Sequence, residues 1–231
     1  MIKHIILFFF VILIIYKIYK YYTHKNITVS LDSNLTKEYK YIHNELLDLM
    51  KKTIIIFDKH NINYWAEGGT LLGCIREGKI IDTDDDIDLG LIKEDFLYIQ
   101  NNKNNIINDL NKSGLHLVIR GDKLTPNKIV RLKKNGDYTK NFIFIDLMPF
   151  IKSNGKYKHA LPGGGSMWED DFFTEQELYP LKKGKLKNIE INIPNNPIGN
   201  LERLYGDCLD KKCWKIPIQT HTHLHEINIQ I

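Results

Sequence analysis

The residues best suited to chemistry lie between Trp65 and Gly90, in WAEGGTLLGCIREGKIIDTDDDIDLG. This stretch ends with the run Asp84-Asp85-Asp86-Ile87-Asp88-Leu89. In an extended strand Asp86 and Asp88 point to one face, about 7 Å apart, while Ile87 and Leu89 turn into a core. Two carboxylates on one face repel each other, and a divalent cation between them relieves that repulsion. Oxygen ligands of this kind select hard ions, so Mg²⁺ or Mn²⁺ is expected rather than zinc. A solvated acidic loop or a structural Ca²⁺ site would use the same residue types. The apolar alternation and the glycines upstream favour a catalytic metal site.

Those glycines are Gly68-Gly69-Thr70, followed by an apolar turn. A strand, a tight glycine turn and a helix start together present backbone N–H groups to a phosphate, at a place where a Cβ would block the approach. Arg76, six residues after Thr70, is expected to reach such a phosphate, and Lys79 is a second cation with the same reach. Glu67 reads as structural. A third metal ligand is expected at Asp146, because two aspartates leave a two-metal site short of anions. Asp146 sits in the otherwise apolar FIFIDLMPF, residues 142–150, where an ionised carboxylate is costly unless it meets a cation or several donors. Asp122 and Asp137 have polar surroundings and carry no such demand. The alternative role for Asp146 is to cap a backbone turn at Pro149.

The elements that must position these groups follow from periodicity. Tyr39, Ile42, Leu46, Leu49, Ile54 and Phe57 recur at helical spacing between Thr36 and His60. Short strands are expected at Tyr64–Ala66, Ile87–Ile92, Leu115–Arg120, Ile129–Leu132, Phe142–Met148 and Ile189–Ile193. Helical segments are expected at Leu71–Arg76, Phe96–Leu110 and Pro197–Leu204, the last stopped by Gly206. Residues 152–170 read as loop, with Gly163-Gly164-Gly165-Ser166 at the centre as a flap or a connector. The result is an α+β domain, a mixed β-sheet flanked by helices.

The chain of 231 residues divides into an apolar N-terminal segment (1–25), a polar linker (26–35), a catalytic domain (36–215) and a His-containing tail (216–231). Ile5–Tyr16 is an unbroken apolar run, extended to Tyr22 between lysines, and no small residues follow it as a signal-cleavage site would require. An uncleaved single-pass membrane anchor through residues 5–22 is therefore expected, with a cleaved signal or a buried helix as alternatives. Sequons at Asn26, Asn34 and Asn111 fit a glycosylated domain in an ER- or Golgi-like lumen, although the flanking charges leave the orientation open. The net charge of +4 equals the four lysines of residues 1–25, so the remainder sums to zero (4 − 4), and nucleic acid is not expected as a partner. Three cysteines are too few for a disulfide framework. Cys208 and Cys213 can pair in an oxidising lumen or stay free. With His221, His223 and His225 they can also form a zinc site, though their spacing matches no standard one.

The glycine–Thr turn followed by Asp-apolar-Asp-apolar resembles the signature of the DNA polymerase β-like nucleotidyltransferase superfamily. The longer string GGTLLGCIREGKII…DDDIDLG resembles the LicD family of phosphocholine and fukutin-type ribitol-phosphate transferases. Tyr179-Pro180-Leu181, Ile191–Pro194 and Leu201–Asp207 (LERLYGD) are similar to that family's closing pattern, and Asp146-Leu147-Met148-Pro149 to its later Asp-apolar pair before a proline. The resemblance covers residues 60–215. It implies a nucleotidyltransferase-like fold and transfer of a phospho-alcohol from a CDP-linked donor to a glycan or glycolipid hydroxyl. The family usually has a proline and an aromatic residue before the acidic run, where this chain has Asp82-Thr83, so donor preference is open. Nucleotidyl transfer to a small molecule, or a non-catalytic glycan-binding role, are the alternatives.

Overall fold

The structure is a computed structural model that describes residues 33–82, 84–120, 123–134, 137–160 and 169–206. The chain divides into two compact units, Met1–Glu38 and Tyr39–Ile231, and the sheets described below belong to the second. The elements are α1 (Ser33–Lys59), β1 (Trp65–Ala66), α2 (Gly68–Arg76), β2 (Ile87–Ile92), α3 (Lys93–Asn101), α4 (Lys103–Lys112), β3 (His116–Arg120), β4 (Lys123–Lys134), β5 (Asp137–Ser153) and β6 (Lys156–His159). Then follow β7 (Phe172–Thr174), α5 (Glu175–Leu178), β8 (Lys182–Leu186), β9 (Ile189–Ile193) and α6 (Ile198–Tyr205). The main sheet is mixed and runs β1-β2-β5-β4-β3, while β6 adds to β5 and β7 to β6. β2 and β5 are parallel and the other pairs antiparallel. The expected mixed sheet with flanking helices is what the chain forms.

Burial along the central strands follows the pleat. Ile87, Leu89 and Leu91 of β2 and Ile143, Ile145 and Leu147 of β5 enter the core, while Asp88, Phe144 and Asp146 take the opposite face. β5 is much longer than the apolar alternation alone indicates. β4 pairs with it up to Leu147, and β6 takes over from Phe150, which is also paired with Ile92 of β2. The segment expected as loop thus contains a hairpin turned at Asn154-Gly155, both at positive φ. Residues 161–168, with the Gly163–Ser166 flap, lie outside the described residues. The expected single helix over 96–110 is two, broken at Asn102, whose own N–H and side-chain amide both bond Tyr98 O.

One close approach fixes β1 against β2. Trp65 lies opposite Gly90, and a Cβ at Gly90 would run into the indole. Trp65 also packs on Phe150 and Phe173, which ties β1 to β5 and β7. Arg203 of α6 grips Glu177 through both guanidinium nitrogens at 2.9 and 3.0 Å and donates to Phe172 O at 2.6 Å. Glu177 is itself fixed by a capping box with Thr174.

No helix among the described residues is long and apolar enough to cross a membrane. α1, at 27 residues, has the length for a hydrocarbon layer of about 30 Å. It carries Lys37, Glu38, Lys40, Glu45, Asp48, Lys51, Lys52, Asp58 and Lys59, and charges of that density do not cross a bilayer. The unbroken apolar run Ile5–Tyr16 is itself short of the roughly 20 residues a span requires, and residues 1–25 lie outside the described residues. This finding overturns the expected single-pass membrane location, with its lumenal catalytic domain and its membrane contact through residues 5–22.

Gly90→Ala is expected to destabilise the domain by about 1–3 kcal/mol, because the indole of Trp65 cannot move without disturbing Phe150 and Phe173. Thermal unfolding measures it. An unchanged Tm would show that β1 is not held by this contact.

Candidate functional site

Glu67 ends the chain's passage from β1 and α2 begins at Gly68 itself, one turn earlier than the apolar spacing indicates. Gly68 has a positive φ of 51°, which a side chain would strain. The helix has no side-chain cap, and its first intrahelical bond is Leu71 N–H to Glu67 O at 3.0 Å. Its first turn therefore keeps backbone N–H groups for an external acceptor. A Cβ on Gly68 would lie 3.4 Å from Asp88 Oδ2 and 3.6 Å from the Tyr205 hydroxyl, so carboxylate and phenol converge above the start of the helix. A Cβ on Gly69 would lie 2.9 Å from Asp84 Oδ2.

Asp88 is held from both sides through its backbone. Its N–H donates to Thr70 Oγ1 at 2.9 Å and its carbonyl accepts from Glu67 N–H at 3.1 Å. On the parallel neighbour its register partner is Asp146, so the two side chains leave the same face side by side. Asp86 lies just before β2, where it groups with Asp84 and Asp85, each offering a ligand atom within 4.8 Å of the others. This acidic turn is tied to α1, since His43 Nε2, with its proton there, donates to Asp84 O at 2.7 Å. The structure thus brings Asp86, Asp88, Asp146, Gly68, Gly69 and Thr70 into one neighbourhood. Arg76 stands at the opposite end of α2, with its guanidinium on Glu77 at 2.6 and 2.9 Å. Lys79 is paired with Asp82 and, at 3.5 Å, with Glu77.

The crowding has an electrostatic consequence. Burial, then the charges of Asp86, Asp84, Asp146 and Asp171, hold the Asp88 carboxyl well above the usual aspartate range. Tyr205 is pushed up by burial and by Asp88, Glu67, Asp171 and Asp84, so its phenol keeps its proton and can donate. Hard oxygen donors gathered around mutual repulsion suit a divalent cation.

A second cluster lies beside the first, and sequence reasoning did not find it. Glu67, His159 and Asp171 each bring one ligand atom within 4.8 Å of the others. His159 Nε2 is 2.5 Å from Asp171 Oδ2, and Asn200 Nδ2 donates to Asp171 Oδ1 at 3.0 Å. Burial, then Asp171, raise the Glu67 carboxyl well above its ordinary value, with the Trp65 indole N–H and the Gly68 N–H acting against them. The available signal was weak: Asp171 directly precedes the apolar Phe172-Phe173 but follows Glu169-Asp170, whereas Asp146 has apolar residues on both sides. The His221–His225 group and Cys208 with Cys213 lie outside the described residues. Cys74 is buried, with its thiol on Lys185 O at 3.1 Å.

Residues 61–196 match the family model described as LicD/FKTN/FKRP, nucleotidyltransferase domain. The chain belongs to the LicD family. An uncharacterized protein of Rickettsia typhi is 38% identical over 162 residues, covering 70% of this chain and 46% of its own. The human ribitol-5-phosphate transferase FKTN is 25% identical over 184 residues, 76% of this chain and 34% of that protein. The mouse ribitol 5-phosphate transferase FKRP is 27% identical over 168 residues, 70% of this chain and 31% of that protein. This LicD chain spans about half the length, or less, of several of the curated relatives it matches. Among solved structures, an antigenic nucleotidyltransferase-like protein from Paracoccidioides brasiliensis aligns with a TM-score of 0.33 and 13% identity over 65% of this chain and 61% of that one. The expectation of a transferase domain is met at the level of the family.

An acid whose folded-state pKa is raised costs stability as pH climbs from its unfolded value through the raised one, because the folded state must ionise it against its neighbours. Asp88→Asn removes that cost. In metal-free buffer the variant should therefore be more stable than the wild type at about pH 7, with the gap closing toward about pH 4. Denaturant unfolding at the two pH values measures it, and a gap that does not depend on pH would contradict the crowding.

Proposed function

We propose that this LicD domain is a metal-dependent transferase that moves a phospho-alcohol, of the ribitol-phosphate or choline-phosphate type, from a CDP-linked donor to a hydroxyl of a glycan or glycolipid. The observation that carries the reading is the in-register pair Asp88 and Asp146 beside the uncapped start of α2. The names of FKTN and FKRP support the class of group transferred. The catalytic domain is proposed to span 36–215, a range that contains the family match.

In this reading Asp86, Asp88 and Asp146 hold Mg²⁺ or Mn²⁺. When bound, the cation offsets negative charge on the donor pyrophosphate and on the phosphoryl group in transfer. The backbone of Gly68, Gly69 and Thr70 receives a phosphate oxygen at the helix start, where the glycines leave room for it. The Tyr205 phenol donates to the same region. The acceptor hydroxyl attacks the phosphorus that carries the alcohol, its proton passes to one of the aspartates, and the anhydride bond breaks to release CMP. Thr70 contributes by fixing the Asp88 backbone through its hydroxyl. Arg76 reaches a phosphate only if its pairing with Glu77 opens.

Incubating the full chain with CDP-ribitol, CDP-choline and CDP-glycerol, with and without Mg²⁺ and an acceptor glycan, tests this. Cation-dependent CMP release is expected, reduced at least about 100-fold in Asp88→Asn and Asp146→Asn. Pyrophosphate release from a nucleoside triphosphate, without CMP release from CDP-alcohols, would instead establish nucleotidyl transfer. Full activity in either variant would overturn the metal assignment.

A further inference from the structure

We propose that Glu67, His159 and Asp171 form a second metal site, separate from the aspartate centre, that takes a zinc-class divalent cation. The three ligands come from separate parts of the chain: the residue before α2, the end of β6 and the residue before β7. Their ligand atoms nevertheless gather within 4.8 Å. Glu67 is 2% exposed and its Oε1 is buried without a hydrogen-bond partner, which a buried carboxylate oxygen tolerates poorly.

The remaining contacts have the form of an outer coordination shell. Each carboxylate has one oxygen anchored by a neutral N–H: Trp65 Nε1 donates to Glu67 Oε2 at 3.1 Å, and Asn200 Nδ2 to Asp171 Oδ1 at 3.0 Å. Glu67 Oε1 is left for the centre, while Asp171 Oδ2 and His159 Nε2 meet at 2.5 Å, and a bound cation would take the place of the proton those two atoms share. Anchoring one oxygen and aiming the other is how outer-shell donors orient metal ligands. His159 is further held by its ring against Phe150, with centroids 4.3 Å apart. A divalent cation balances the two carboxylates without leaving net charge in a space bordered by Trp65, which donates to Glu67, and Phe150, which packs on His159. An imidazole nitrogen among the ligands shifts preference away from Mg²⁺ toward zinc, and three protein ligands leave a fourth position open.

The test uses the EDTA-stripped full chain loaded with Co²⁺ as a spectroscopic substitute for zinc. Electron spin-echo spectroscopy reads coupling to a coordinated imidazole nitrogen, and titration reads the number of ions bound. One nitrogen-coupled Co²⁺ is expected in the wild type and also in the Asp88→Asn/Asp146→Asn double variant, which lacks the aspartate centre. His159→Gln should lose that coupling, and Glu67→Gln should bind this ion at least about 10-fold more weakly. Absence of nitrogen coupling in the wild type, or coupling unchanged in a folded His159→Gln, overturns the proposal. Failure of CMP release leaves this result unaffected, because the double variant separates the two sites.

Discussion

The constraint on which the site depends is repulsion among carboxylates that the fold holds together. Asp88 has Asp86 and Asp84 ahead of it in the chain, Asp146 abreast of it on β5, and Asp171 within electrostatic reach. Left to itself, such a group would swing its side chains toward water. The fold denies Asp88 that freedom through its backbone: Thr70 accepts from its N–H and Glu67 donates to its carbonyl. The strand beneath is fixed in turn by the Trp65 indole seated against Gly90. Binding a cation is the remaining way to lower the energy, and this is how a locally unfavourable arrangement becomes a binding function.

The parts of this arrangement that were legible in the sequence are those carried by local pattern. Alternation placed β2 at Ile87–Ile92, and one ionisable residue in an apolar strand singled out Asp146. Register, which the sequence does not state, then set Asp146 opposite Asp88. Patterns failed where a second structure used the same residues. Gly68 and Gly69 read as a turn before a helix because glycine disfavours helices, yet they form the first turn, where close approach matters more than propensity. The hairpin at Asn154-Gly155 was hidden because β6 is short and mostly basic, with Tyr157 as its one buried residue. Asn102 divides a helical stretch by satisfying the preceding turn itself.

The residues that escaped sequence reasoning are those whose meaning is tertiary. Nothing near His159 or Asp171 in the chain indicates that they meet, since they lie twelve positions apart and the middle of that interval is glycine-rich. Asn200 and Tyr205 lie on a short helix that reads as ordinary packing. Their places depend on Arg203, which fastens α6 to β7 and α5 through Phe172 O and Glu177. With that helix secured, Asn200 reaches Asp171 and the Tyr205 hydroxyl reaches the space above Gly68. The helix that carries LERLY is therefore a scaffold whose product appears at Gly68, far earlier in the sequence.

The two acidic clusters differ in the way they face their surroundings. Asp88 and Asp146 are half-buried on a sheet face, with half-buried Asp86 just before the strand and a helix start able to receive a phosphate beside them. That suits a centre where cation and substrate exchange. Glu67 and Asp171 are buried, their outer oxygens are anchored by neutral donors, and aromatic rings enclose the space. That suits a cation which stays. Glu67 belongs to both, because its N–H supports Asp88 while its carboxylate faces His159 and Asp171. A cation held at the enclosed cluster would draw Glu67 inward and fix the residue from which α2 starts. The proposed second ion would in this way set the geometry of the phosphate-receiving turn without touching the substrate.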